Sequence, residues 1–128
     1  MTPEQLAKPG TEHAHQVALF CWLASQLAAY PEVKWVYAIP NGGERNPIVA
    51  ARLKAEGVKS GVSDICLPFS RQGYFGFYIE MKKPKGKESP TQIEFGAFLK
   101  SQNYLYTMCD DWEKARDCIT WYLTNKPQ

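Results

Sequence analysis

The 128-residue sequence has no CxxC pair, only two histidines, and no apolar run near the roughly 20 residues that a membrane-crossing helix needs. Each absence removes a class of protein. Cys21, Cys66, Cys109 and Cys118 lie 45, 43 and 9 residues apart, and His13 and His15 are remote from all but the first, so no common zinc spacing fits. Four cysteines are too sparse for a secreted disulfide framework, and Met1 to Gly10 has neither the basic stretch nor the apolar core of a signal peptide. A cytoplasmic protein with reduced thiols and no membrane partner is the expectation. No internal repeat, low-complexity tract or linker is visible, and charged residues are 22% against 45% hydrophobic, the reverse of a disordered chain. The length suits one domain over 1–128 with a single hydrophobic core.

Net charge is also small, +2, but it is unevenly spread. From Arg45 to Lys87 nine basic residues face three acidic ones, a net of +6, while each flank carries −2. A positive middle of this kind suits a polyanionic partner.

Apolar residues Val17, Phe20, Cys21, Ala24, Leu27 and Ala28 predict a helix from Glu12 to about Tyr30, capped by Thr11 and stopped by Pro31. Lys34 to Ile39 reads as a strand. Pro40-Asn41-Gly42-Gly43 turns the chain, and Asn46-Pro47 with Gly57 brackets a short helix over Pro47 to Glu56. Asp64 to Phe69 and Tyr74 to Lys82 read as a hairpin about Ser70-Arg71-Gln72-Gly73. Ser89 and Pro90 open another helix, with Ile93, Phe95, Ala97, Phe98 and Leu99 as its apolar surface. Tyr104 to Met108 is a further strand, and Asp111 to Leu123 a last helix with an acidic first turn suited to its dipole. The order α-β-α-β-β-α-β-α describes an α/β fold, a mixed sheet flanked by helices.

Polar residues interrupt these patterns at two places. Counting back by fours from Ala24 and Phe20 puts Gln16 and Glu12 on the presumed core side of the first helix. In the hairpin, alternation puts Phe75, Phe77, Ile79 and Met81 on one face and Glu80 and Lys82 on the other. If the turn is centred on Gln72, Asp64 stands directly opposite Glu80, with Phe69 opposite Phe75. Two adjacent carboxylates repel each other unless a proton or a cation neutralises one. Apolar neighbours Ile65, Leu67, Ile79 and Met81 favour a divalent cation over solvation. A hard cation such as Mg²⁺ commonly uses one or two carboxylates plus a substrate phosphate, and Lys82 could orient water or offset developing charge.

Asp64 followed by Glu80-Met81-Lys82 resembles the Asp…(Asp/Glu)-x-Lys motif of the PD-(D/E)xK nucleases. The stretch from Gly57 to Ile65, the Asn41-Gly42 turn, Glu12 with Gln16, and Gln92 narrow the resemblance to the VRR-NUC domain, in its small stand-alone phage and bacterial form. One departure is Ser63, where the superfamily motif has proline. The resemblance implies a restriction-endonuclease-like fold and an active site of Glu12, Asp64, Glu80, Lys82 and Gln92. Asp64, Glu80 and the Met81 main-chain carbonyl would hold Mg²⁺ or Mn²⁺, Glu12 would reach it through water, and Gln16 would stand behind them. It further implies a homodimeric, structure-selective DNA endonuclease acting on branched DNA such as four-way junctions. Arg45, Arg52, Lys54, Lys59, Lys83, Lys85 and Lys87 are the expected DNA contacts. A flap or nicking nuclease and a non-cleaving nucleic-acid-binding module are the alternatives. His13 and His15 are expected at the surface, most tryptophans in the core, and the 40–46 loop beside the DNA or a dimer contact.

Overall fold

The computed structural model describes residues 1–40 and 46–124. Their elements are α1 (Pro3–Ala7), α2 (Glu12–Ser25), a 3-10 turn (Pro31–Trp35), β1 (Tyr37–Ala38), α3 (Pro47–Ala55), β2 (Ile65–Leu67), β3 (Phe77–Met81), α4 (Pro90–Ser101), β4 (Leu105–Cys109) and α5 (Trp112–Thr124). After α1 the order is the one expected. The four strands form one sheet in the order β1-β2-β3-β4, antiparallel except for the parallel β3–β4 pair. This is a mixed sheet flanked by helices. Among the described residues no helix is long and apolar enough to cross a membrane.

The register that aligns the two acids holds. Ile65 pairs with Ile79, Cys66 with Tyr78 and Leu67 with Phe77, so one further step sets Asp64 beside Glu80. The connecting turn explains it: Gln72 and Gly73 both take positive φ, 59° and 81°, as a two-residue type I′ hairpin turn requires. Gln72 tolerates that conformation with its side-chain amide donating to the Trp121 carbonyl at 3.2 Å.

Alternation along β3 divides the molecule. Phe77, Ile79 and Met81 are buried in a core with α2 and α5, through Leu19, Leu23, Ile119 and Tyr122. The opposite face carries Tyr78, which meets Phe95 of α4 edge-on at 6.0 Å, and Glu80. Phe75, expected on the core face, is exposed instead: its amide donates to the Asn103 carbonyl, so the chain there has left the hairpin for the segment leading into β4. No Phe69–Phe75 pair forms within the β2–β3 ladder.

Other expectations need correction. Helix α2 ends at Ser25, and its buried residues are Ala14, His15, Ala18, Leu19 and Leu23, whereas Val17, Ala24, Leu27 and Ala28 are exposed. Its sequence is apolar on nearly every side, so periodicity could not choose the inner face; packing against α1, α5 and β3 does. His15 is buried rather than at the surface, and its Nδ1 accepts the Trp112 amide at 3.0 Å, capping the start of α5. In α4 the inward residues are Gln92, Phe95, Gly96 and Leu99, with Ile93, Ala97 and Phe98 exposed. The Tyr106 ring explains that rotation, since a Cβ on Gly96 would come within 2.4 Å of it. The strand expected over Lys34–Ile39 shrinks to two residues because Pro31 starts a 3-10 turn. Only Trp112 is fully buried; Trp22 is partly buried, while Trp35 and Trp121 are exposed. All four cysteines are free.

Candidate active site

Four elements meet at the ends of β2 and β3. Asp64 immediately precedes β2, Glu80 and Met81 close β3, Lys82 follows it, Glu12 opens α2, and Gln92 lies in the first turn of α4. Asp64 is tied across the sheet, its Oδ2 accepting the Met81 amide at 2.8 Å. Lys82 is held by its amide, which donates to the Cys109 carbonyl at 2.9 Å.

Glu80 is the unusual residue, a carboxylic acid only 1% exposed. Its Oε1 accepts the Gln92 side-chain amide at 2.6 Å and lies 3.9 Å from Lys82 Nζ. Its Oε2 is buried with no hydrogen-bond partner. The nearest acid, Asp64, can serve as donor only if the pair shares a proton. Burial, then the Asp64 charge and hydrogen bond, push the Glu80 carboxyl up to about 8, with Lys82 pulling the other way. Burial also raises Asp64, against the lowering pull of the Met81 amide, Glu80 and Lys82.

Gln92 can hold Glu80 because its own orientation is fixed. Its amide oxygen accepts the Ser89 amide at 2.7 Å while Ser89 Oγ accepts the Gln92 amide at 3.3 Å, a reciprocal capping box. The oxygen being committed, the NH₂ group must face Glu80. The S-x-x-Q spacing from Ser89 to Gln92 carries this signal in the sequence.

Gly61 sets the approach of the Asp64 segment to α4. It has φ +84°, and a Cβ there would lie 2.5 Å from the Thr91 carbonyl oxygen. Ala at this position is therefore both strained and in collision with backbone beside Gln92. Gly61→Ala is expected to cost more than about 1 kcal/mol of stability, measured by denaturant unfolding. Unchanged stability would mean that this contact does not exist in solution.

Glu12 stands at the exposed side, where burial and the Asp64 charge raise its carboxyl and Lys82 lowers it. Among the described residues no three His, Cys, Asp or Glu side chains converge closely enough to hold an ion between them. Glu12 thus belongs to the electrostatic surround of Asp64 and Glu80. Gln16 is partly buried one helical turn further on. Arg52, Lys54, Lys59, Lys83, Lys85 and Lys87 are all exposed, and Arg45 with the 41–45 part of its loop lies outside the described residues. Arg71, counted in the basic segment, is committed to Glu32 at 2.6 Å.

Two features missed in the sequence border the site. Tyr106 donates its hydroxyl to Glu88, anchoring the basic 83–88 segment beside α4, and Asp110 accepts the Lys85 amide at 3.4 Å. The donor set fits a hard divalent cation: two apposed carboxylates, one with a buried unpartnered oxygen, and a lysine too far for a tight ion pair.

The VRR-NUC domain model matches residues 10–112. A solved structure described as "VRR_NUC domain protein" is similar with a TM-score of 0.79 over 91% of each chain, at 24% identity, a likeness that speaks for the fold. No curated protein matches the chain. Because the family match covers most of the sequence and takes in Glu12, Asp64, Glu80, Lys82 and Gln92, the chain belongs to the VRR-NUC family of nuclease-type domains.

Proposed function

We propose that this chain is a Mg²⁺- or Mn²⁺-dependent DNA endonuclease, with Asp64, Glu80 and the Met81 main-chain carbonyl as the groups that hold the ion. The observation carrying this reading is the buried, unpartnered Oε2 of Glu80 beside Asp64. A pair of acids that must share a proton is a costly arrangement unless something of positive charge takes the proton's place. When bound, a divalent cation supplies polarisation of the phosphoryl oxygen and a more acidic water.

The chain's own groups do the rest. Gln92 fixes Oε1 of Glu80 and leaves Oε2 buried without a hydrogen-bond partner. Lys82, half-buried and 3.9 Å from Glu80, has its ammonium free of a tight ion pair, so it can orient the attacking water or offset charge growing on the phosphate. Glu12, set back on α2, holds water at the edge of the site. Exposed Arg52, Lys54, Lys59, Lys83, Lys85 and Lys87 supply the phosphate contacts, with Arg45 as a further candidate.

Branched DNA and a homodimer belong to the same proposal. A four-way junction needs two symmetry-related cuts, which a two-fold dimer provides. Helix α3 supports a dimer: none of its residues is buried, and Ile48 and Val49 are exposed, as are Trp35 and Tyr37 near and in the edge strand β1. The test is cleavage mapping on four-way, flap, splayed-arm and linear duplexes with Mg²⁺, Mn²⁺ or chelator, beside a solution mass. Paired cuts across the junction by a dimer are expected. Nicking of flaps by a monomer favours the flap-type alternative, and binding without cutting under every condition would sink the nuclease reading.

A further inference from the structure

Among the described residues three that are not glycine take a left-handed backbone: Gln72, Lys85 and Asn103, with φ of 59°, 66° and 66°. A side chain with a Cβ disfavours this conformation. Two of the three offset it with a side-chain bond, the Gln72 amide donating to the Trp121 carbonyl at 3.2 Å and the Asn103 amide to the Gly73 carbonyl at 2.8 Å. Lys85 has no such bond. Its side chain is exposed, and no acid among the described residues pairs with its ammonium. The conformation belongs to a type II turn, with Pro84 and Lys85 at its centre and the Gly86 amide donating to the Lys83 carbonyl at 2.8 Å. Glycine is the usual residue at the position of Lys85, so the chain keeps a charged side chain where the backbone favours none.

The turn lies against the active-site lysine: a Cβ on Gly86 would come 2.9 Å from the Lys83 carbonyl oxygen and 3.0 Å from Lys82 Cβ. It is also held from the β4 side, where Asp110 accepts the Lys85 amide at 3.4 Å and Tyr106 donates its hydroxyl to Glu88. Asp110 is further engaged by Lys114 Nζ at 2.5 Å. Both acids bordering the turn thus have partners, and the ammonium groups of Lys83, Lys85 and Lys87 stay unpaired among the described residues. We propose that Lys85 grips the DNA backbone phosphate next to the scissile one and so positions the cleaved strand over Asp64 and Glu80. This assignment rests on the nuclease reading above. Because the turn is already set, little ordering is needed when the strand arrives. A bond whose neighbouring phosphate is missing, as at a strand end, is then a poor substrate.

The experiment compares wild type, Lys85→Gly and Lys85→Arg in binding and in cleavage. Glycine removes the ammonium and suits the left-handed backbone, so Tm should not fall, which separates a lost contact from a damaged fold. Binding to a four-way junction in chelator is followed against salt; Lys85→Gly should lose about 0.9 from the slope of log K on log salt, and Lys85→Arg should restore it. Cleavage with Mn²⁺ then uses strands carrying a neutral methylphosphonate on one side or the other of the mapped cut. One of these replacements should slow wild type and leave Lys85→Gly at its own rate. An unchanged salt slope, a lower Tm in Lys85→Gly, or replacements that slow both proteins equally would overturn the proposal. Wild type that cuts no DNA would overturn the nuclease reading and with it the place beside a scissile phosphate, while the slope difference still decides whether Lys85 holds a phosphate.

Discussion

Glu80→Gln should abolish cleavage and at the same time stabilise the metal-free protein. Gln keeps an oxygen for the Gln92 amide at 2.6 Å and gains an NH₂ that Asp64 can accept, so the fold loses no hydrogen bond. It loses the charge that a cation would need. Cleavage is expected to fall by about 10³-fold or more, because removing even one charge-stabilising group at a reacting centre costs roughly 10²–10³.

The stability change has a definite sign. Glu80 has its folded value raised from 4.5 to about 8, so the stability tied to its protonated form is complete below pH 4.5 and drains away as pH rises through 8. Wild type without metal should therefore lose stability across that window, and Glu80→Gln should lose less. Above pH 8 the variant should be more stable by roughly 1–3 kcal/mol, within the range found when buried charges are replaced by neutral groups. For a chain of this size that is about 3–5 °C in Tm per kcal/mol, read by thermal unfolding in chelator. A variant less stable than wild type at pH 8.5 would show that Glu80 is not a strained acid.

Lys82→Ala is the second large effect, and it separates binding from chemistry. The Lys82 ammonium lowers Asp64, Glu80 and Glu12 alike, so its loss pushes all three carboxyls further up. DNA should still bind, since the exposed basic residues remain, while the cleavage rate falls by about 10²–10⁴-fold. What activity survives should shift to higher pH, where the acids ionise again. Lys82→Arg keeps the charge and should restore the pH profile without restoring the full rate. An unshifted profile in Lys82→Ala would place the ammonium outside the electrostatics of the acid pair.

Much of this was legible in the sequence, for identifiable reasons. A two-residue turn at Gln72-Gly73 fixes register by itself, so the apposition of Asp64 and Glu80 followed from turn chemistry and alternation. Helix faces were less legible. In α2 nearly every side is apolar, and its partners α1, just before it, and α5, remote in sequence, chose Ala14, Ala18 and Leu19 over Val17 and Ala24. In α4 the inward position is a glycine, which apolar periodicity does not mark, and only the packing of the Tyr106 ring against Gly96 shows why no side chain fits there. His15 reads as a surface residue until the start of α5 arrives to donate to it. The family resemblance points to Gln92, and the reason its amide faces Glu80 is physical: the Ser89 amide occupies its side-chain oxygen.

The central claim is that the proton shared by Asp64 and Glu80 is a placeholder for a divalent cation. Calorimetric titration of the metal-free protein with Mn²⁺ at pH 7, in two buffers of different ionisation enthalpy, measures affinity and proton release together. The account predicts binding with release of close to one proton, affinity falling by up to about tenfold for each pH unit below 8, and no binding in Glu80→Gln. Mn²⁺ that binds both proteins equally, or binds wild type without releasing a proton, would contradict it.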